Sequence, residues 1–100
     1  MAVTSKALFR GAASTSSTTL YTTPSSTTAV VTNILVANTA GSVATFDLSL
    51  DDVQVANDVS VAANDTLTID LKQVLATAKT IKGLASATTV NFHISGVEIV

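Results

Sequence analysis

The stretch Thr28–Asn38, TAVVTNILVAN, sets the terms on which this chain can fold. It contains Val30, Val31, Ile34 and Val36, holds no Gly or Pro, and ends at the turn-prone Asn38-Thr39-Ala40-Gly41. β-Branched side chains lose rotamer freedom in a helix and pack well on a pleated surface, so the run predicts a strand. Thr32 and Asn33 interrupt it, and it is too short and too polar to cross a bilayer. The expectation is a central strand of a β-sandwich.

Two further segments alternate strictly. In Ser42–Leu50, SVATFDLSL, the residues Phe46, Leu48 and Leu50 stand opposite Thr45, Asp47 and Ser49. In Thr89–Ser95, TVNFHIS, Val90, Phe92 and Ile94 stand opposite Asn91, His93 and Ser95. A period of two places one face on a core and the other toward solvent or a partner, and both segments are expected to pair with Thr28–Asn38. Thr66–Leu71 turns Leu67, Ile69 and Leu71 inward on the same rule. Shorter strands are expected at Leu20–Pro24, Val53–Ala56, Val59–Ala62, Thr80–Leu84 and Val97–Val100. Asp51-Asp52, Asn57-Asp58 and Asn64-Asp65 mark turns, because these side chains bond nearby backbone and tolerate left-handed geometry. Gly83 weakens its strand, and Gly96 reads as a bulge or bend. Lys72–Ala78, KQVLATA, is the single predicted helical turn. Roughly seven to nine short strands at this turn spacing predict an all-β, single-domain antiparallel β-sandwich, with jelly-roll and immunoglobulin-like orders both open.

Ahead of a sandwich domain at residues 20–100, residues 1–19 read as an N-terminal arm that is partly low-complexity. Ala2–Arg10 carries Val3, Ala7, Leu8 and Phe9, enough for an edge strand or a docking arm. Gly11–Thr19, GAASTSSTT, is small and polar and builds no core by itself. It is either a disordered tail or an arm that orders on a neighbouring subunit, with Leu8 and Phe9 as the anchor.

Composition narrows the function. Charged residues make up 12% of the 100, about half the ~25% usual in a soluble domain. A surface of Ser, Thr and Ala loses little side-chain entropy and little hydration when covered, which suits packing against identical copies or a host lattice. The net charge is −2, and Lys6, Arg10, Lys72, Lys79 and Lys82 are scattered, so no basic stripe exists to follow a phosphate backbone and nucleic acid is not an expected partner. Without cysteine there is neither a disulfide nor thiolate chemistry. MAVTSKALFRG lacks the apolar region of a signal peptide, and no run approaches the ~18 apolar residues of a membrane span; cytoplasmic synthesis without membrane contact is the expectation.

No constellation of residues announces a reaction. His93 is the single histidine, too little nitrogen and sulfur for a transition-metal site, and no GxSxG elbow supports a Ser–His–Asp reading. Asp51 and Asp52 do not match the spacing of a calcium loop and read as a turn. Four dispersed glycines give no phosphate-binding loop. Four aromatics are too few for a stacking platform, and Phe46 and Phe92 fall on apolar faces. The expectation is a non-enzymatic chain without catalytic, cofactor-binding or metal residues. Its contacts are expected on the polar faces Thr45/Asp47/Ser49 and Asn91/His93/Ser95 and on the arm residues Lys6, Leu8, Phe9 and Arg10.

The succession LYTTPSSTTAVVTNILVANTAGSVATFDLSL (20–50), LTIDLKQVL (67–75), TIKGLASA (80–87) and VNFHISGVEI (90–99) resembles a group of small virion proteins of tailed bacteriophages. In that group a short strand ending in Pro leads through a Ser/Thr/Gly-rich turn into a Val/Ile-rich strand. An Asn-Thr turn, a second alternating strand, an L-x-[IL]-D-L segment and a closing ISGVEI-like strand follow. The resemblance covers about residues 20–100 and carries no catalytic residue. It implies a β-sandwich subunit of a phage particle, made in the host bacterial cytoplasm and self-associating, with a trimer favoured. The role it favours is capsid cement, a decoration protein on the capsid surface that binds and stabilises the lattice of the major capsid protein. A neck, tail or fibre component, or a module that binds host-surface glycans, is the alternative.

Overall fold

A computed structural model describes residues 2–100 as eight strands: β1 (Val3–Ala12), β2 (Thr18–Thr22), β3 (Thr28–Asn38), β4 (Ala44–Leu50), β5 (Val53–Val61), β6 (Thr66–Leu75), β7 (Thr80–Ala85) and β8 (Val90–Ile99). They form two four-stranded antiparallel sheets, sheet A in the order β1-β8-β3-β6 and sheet B in the order β2-β7-β4-β5. Successive strands cross between the sheets everywhere except at the β4–β5 hairpin. The expected β-sandwich is present, and its order is that of an eight-stranded jelly roll, not an immunoglobulin-like sandwich.

Thr28–Asn38 is β3, held between β8 and β6. Pairing with the Thr89–Ser95 segment is as expected. Pairing with Ser42–Leu50 is not, because β4 lies in the opposite sheet. The chain changes sheets at Asn38, whose side chain is buried and closes the corner. Its Nδ2 donates to the carbonyl oxygens of Ser42 (2.8 Å), Val61 (3.3 Å) and Ala62 (3.3 Å), while its Oδ1 accepts from Ala40 N (3.1 Å) and Thr89 Oγ1 (3.3 Å). Asn38 thus ties the β3–β4 crossover to the end of β5 and to the start of β8.

The core lies between the sheets. Phe46 of β4 and Phe92 of β8 meet edge to face, centroids 5.9 Å apart at 69°, both fully buried. Such a pair contributes roughly 0.5–1.5 kcal/mol beyond its area burial. Ile34, Val36, Leu48, Ile81 and Ile94 surround it, and Leu67, Ile69 and Leu71 close the β6 side at half burial.

One irregularity reorganises sheet A. Between Val31 and Asn33 the register of β3 slips against both neighbours: Thr32 is an extra residue against β8, while β6 sets two residues, Leu71 and Lys72, opposite it. Ahead of it the buried positions are Ala29 and Val31; beyond it they are Ile34 and Val36. Val30 is therefore an outward residue. On the other flank of β8, β1 slips at Leu8 at the same level. The expected irregularity at Gly96 exists, but it belongs to both neighbours, while β8 runs straight between them.

Other expectations change for the same reason, that pairing overrides local pattern. Lys72–Ala78 does not form a helical turn: Gln73, Val74 and Leu75 pair with Val31, Val30 and Ala29, and the chain turns only beyond Leu75, with Ala78 at φ 72°. Val53–Ala56 and Val59–Ala62 are not separate strands. β5 runs continuously, and Asn57-Asp58 is a bulge in which Asp58 takes φ 50°. Asp51-Asp52, at φ 54° and 60°, forms the tight two-residue hairpin turn that both positive angles require.

Candidate functional site

No pocket opens among the described residues, and no group of three acidic or His side chains converges there. What the molecule presents is surface, chiefly the outer faces of its two sheets. Thr45, Asp47 and Ser49 lie on the outer face of sheet B, between inward Ala44, Phe46, Leu48 and Leu50. Asn91, His93 and Ser95 lie on the outer face of sheet A. The two expected contact faces are back to back, separated by the whole sandwich, and do not form a single site.

Asp47 has an internal task. Its Oδ1 accepts the Asp58 amide at 2.7 Å and so holds the β5 bulge, which kinks the edge of sheet B. Thr45 is tied to the β7–β8 connection, its amide donating to Ser86 Oγ at 3.0 Å. Bulged edges resist pairing with another chain, so β5 is a protected edge.

The arm residues divide. β1 is the edge strand of sheet A, paired along its length with β8. Leu8 is buried and Phe9 packs half-buried against the core, both on the inner side. Arg10 pairs with His93 on the outer face. Lys6 pairs with Gly96 on the inner side and reaches Glu98 at 3.4 Å.

Glu98 is the functional-looking group that the sequence left unmarked. It sits at the open end of the sandwich on the inner face of β8, and Tyr21 of β2 donates its hydroxyl to Glu98 Oε2 at 2.5 Å across the gap between sheets. The hydrogen bond from Tyr21, followed by Lys6, holds the Glu98 carboxyl below its ordinary value against the opposing effect of burial. Burial first, and then Glu98, push the Tyr21 phenol far above its own. A lone Glu and a lone Tyr, separated by 77 positions, carry no local signal of this pairing.

Because the Glu98 value falls on folding, its stabilisation is complete above the ordinary value of 4.5 and is lost as pH drops through the lowered one. Because the Tyr21 value rises, its stabilisation holds below pH 10.0 and is lost at higher pH. Tyr21→Phe should cost roughly 1.5–3 kcal/mol at neutral pH, the usual range for a hydrogen bond to a charged group. Urea midpoints of the variant should also show a shallower decline below pH 4.5, since Lys6 still faces Glu98 and Lys82 still lowers Asp52; an unchanged acid limb would mean that Glu98 does not depend on Tyr21.

Close by, Thr23 is buried, and its hydroxyl, which faces Tyr21, makes no well-formed hydrogen bond. Thr23→Val keeps the shape and removes an unsatisfied group, so the melting temperature should hold or rise, by up to about 1 kcal/mol of stability. A clear fall in calorimetry would show that the hydroxyl has a partner.

Sheet A carries the less charged face, and its rows follow from the pairings. One row runs Ser5–Val97–Val30–Val74, flanked by Val3–Ile99–Thr28. Beyond the bulge come Ala7–Ser95–Asn33–Asp70 and then Arg10–His93–Leu35–Thr68. One end is thus apolar, with Val3 63% and Val74 68% exposed, and the rest is mainly small and uncharged. The opposite face places Lys82 beside Ser49 and Asp47 beside Leu84, with Lys82 bridging to Asp52 at 2.9 Å.

No protein-family model and no curated protein sequence matches the chain. Solved structures match it in shape. The core of Drosophila NLP, described for pentamer formation and histone binding, superposes with a TM-score of 0.53 at 13% identity, over 98% of this chain and 98% of that one. A chain of the T13 IBDV viral particle gives 0.57 at 11% identity, over 97% of this chain and 30% of that one. A pentameric capsid protein from metagenomic phage sequences gives 0.39 at 19% identity, over 90% of this chain and 58% of that one, a score too low to define a shared fold. At these identities the first two likenesses are of fold alone.

Proposed function

We propose that this chain is a non-enzymatic structural subunit of a bacteriophage particle, acting as a cement protein that binds the major capsid protein on the capsid surface and stabilises its lattice. The observation that carries the reading is the outer face of sheet A, four strands wide, apolar at one end and mostly small and uncharged elsewhere. Such a face is covered at little cost in hydration or side-chain entropy, and at ~25 cal/mol per Å² modest contacts repeated by symmetry add up across a lattice. The virion resemblance of residues 20–100 supports the same reading, and a fold shared with a chain of a viral particle is compatible with it.

In this reading the chain is made in the host cytoplasm, joins the particle, and self-associates there; three copies around a local threefold is the favoured arrangement. Mass spectrometry of purified particles, followed by location of the chain in a particle reconstruction, tests it. Density on the capsid surface is the expected result. Density at the neck, tail or fibre would move the protein to those roles, and absence from particles would end the virion reading. Particles assembled without the chain should also break at lower temperature and in low salt; unchanged particles would rule out cement.

A further inference from the structure

We propose that the outer face of sheet A is a self-association surface, on which two copies of this chain pack sheet to sheet about a two-fold axis parallel to the strands. The pairing goes beyond the cement reading and covers the same face, so it belongs to the free protein and has to open before the chain seats on a particle.

The row order of the face selects this arrangement. A two-fold along the strands lays β1-β8-β3-β6 over β6-β3-β8-β1 of the second copy and keeps each row above its own equivalent. Val97 then lies over the partner's Val30, and Val74 over the partner's Ser5, one row from the partner's Val3. The valine ends therefore cover each other. A two-fold in the same plane but across the strands would set the valine end on the Asn91–Ala37 end and leave the apolar surface facing polar groups.

Charge agrees with the first arrangement. Along this face the charged groups lie at the edges: Arg10 on β1, Asp70 on β6, and Lys72 at the β6 irregularity. With β1 over the partner's β6, Arg10 falls over the partner's Thr68, one row from the partner's Asp70, and the symmetric pair forms on the opposite rim. His93 meets the partner's Leu35 and not a second histidine. Lys72 is at the rim, where a long side chain keeps its ammonium in water.

The area is sufficient. Four strands ~4.8 Å apart and about ten residues at ~3.3 Å each give a face of roughly 600 Å² per copy. Doubled, this reaches about 1,200 Å², the lower end of the range for specific interfaces. Two twisted sheets pack well with their strands within about 30° of parallel, which is the near-alignment that this axis requires.

Sedimentation equilibrium of the purified chain should detect a species of twice the 10.1 kDa chain mass, with dissociation in the micromolar range. Val74→Lys, at a position too exposed to matter for folding, should weaken it by about a hundredfold while the circular dichroism and melting profile of the monomer stay unchanged. Arg10→Asp should weaken it by about tenfold, and Arg10→Asp combined with Asp70→Arg should restore it to within about threefold. A monomer up to ~1 mM, a trimer, or a dimer indifferent to Val74→Lys would overturn the pairing. A double variant no tighter than Arg10→Asp alone would overturn the two-fold. None of these results bears on whether the chain is found in particles.

Discussion

Gly96→Ala should destabilise the domain by about 3 kcal/mol, the upper end of what overpacking costs, because the obstacle is backbone. Gly96 faces the interior of sheet A between Lys6 and Val31, at the level where β1 and β3 both carry an extra residue. A Cβ built there lands on the Val30 carbonyl oxygen, with Leu8 Cδ1 at 3.0 Å on the other side. No glycine among the described residues has a positive φ, so Gly96 is needed for space and not for its backbone angle. A side-chain tip can rotate away, but the Val30 carbonyl is held by the β3 bulge. Relief requires that the bulge shift, and the bulge decides which side chains of β3 face inward. The melting temperature should drop by roughly 15 °C, as expected for ~3 kcal/mol in a domain of this size. Gly41→Ala is the control, since nothing lies within 4 Å of a Cβ there; it should change stability by less than about 0.5 kcal/mol. Equal effects at the two glycines would refute the close approach at Gly96.

Asn38→Ala should cost about as much, roughly 3 kcal/mol, by a different mechanism. The substitution leaves the carbonyls of Ser42, Val61 and Ala62 without their donor, and Ala40 N and Thr89 Oγ1 without their acceptor. The Val61 carbonyl bond is buried, so water replaces that partner poorly. Asn38→Asp is the sharper test. It keeps an acceptor for Ala40 but turns an oxygen toward three carbonyl oxygens, so it should be worse than Ala at neutral pH and recover part of the difference in acid. Urea unfolding of both variants at two pH values reads this order. If Asp were tolerated as well as Asn, the corner would not depend on the Nδ2 donor.

These two residues mark where local pattern and long-range structure part. Asn38 reads in sequence as the start of a turn, which it is, but its five hydrogen bonds reach three other segments that no local rule connects. Gly96 reads as a break in alternation. The break lies in strands that are its neighbours only in space, since Leu8 and Thr32 are distant in sequence from Gly96 and from each other. The candidate faces behave alike. Alternation identified Thr45, Asp47, Ser49, Asn91, His93 and Ser95 as outward, and that is a property of period two. It did not reveal that the two triplets lie on opposite sides of the molecule, or that Asp47 is occupied with holding Asp58.

By itself, then, the sequence determined the all-β class, the positions of the main strands, the inward sets Phe46/Leu48/Leu50 and Val90/Phe92/Ile94, and the tight turn at Asp51-Asp52. Each depends on side chains a few residues apart, where the two-residue pleat and the left-handed tolerance of Asp act directly. Tertiary structure alone decided which sheet each strand joins, that Lys72–Leu75 extends a strand, that Val30 faces outward, and that Glu98 meets Tyr21. Those outcomes depend on hydrogen-bond ladders between segments tens of residues apart and on a single extra residue, Thr32, that reverses inward and outward for everything beyond it.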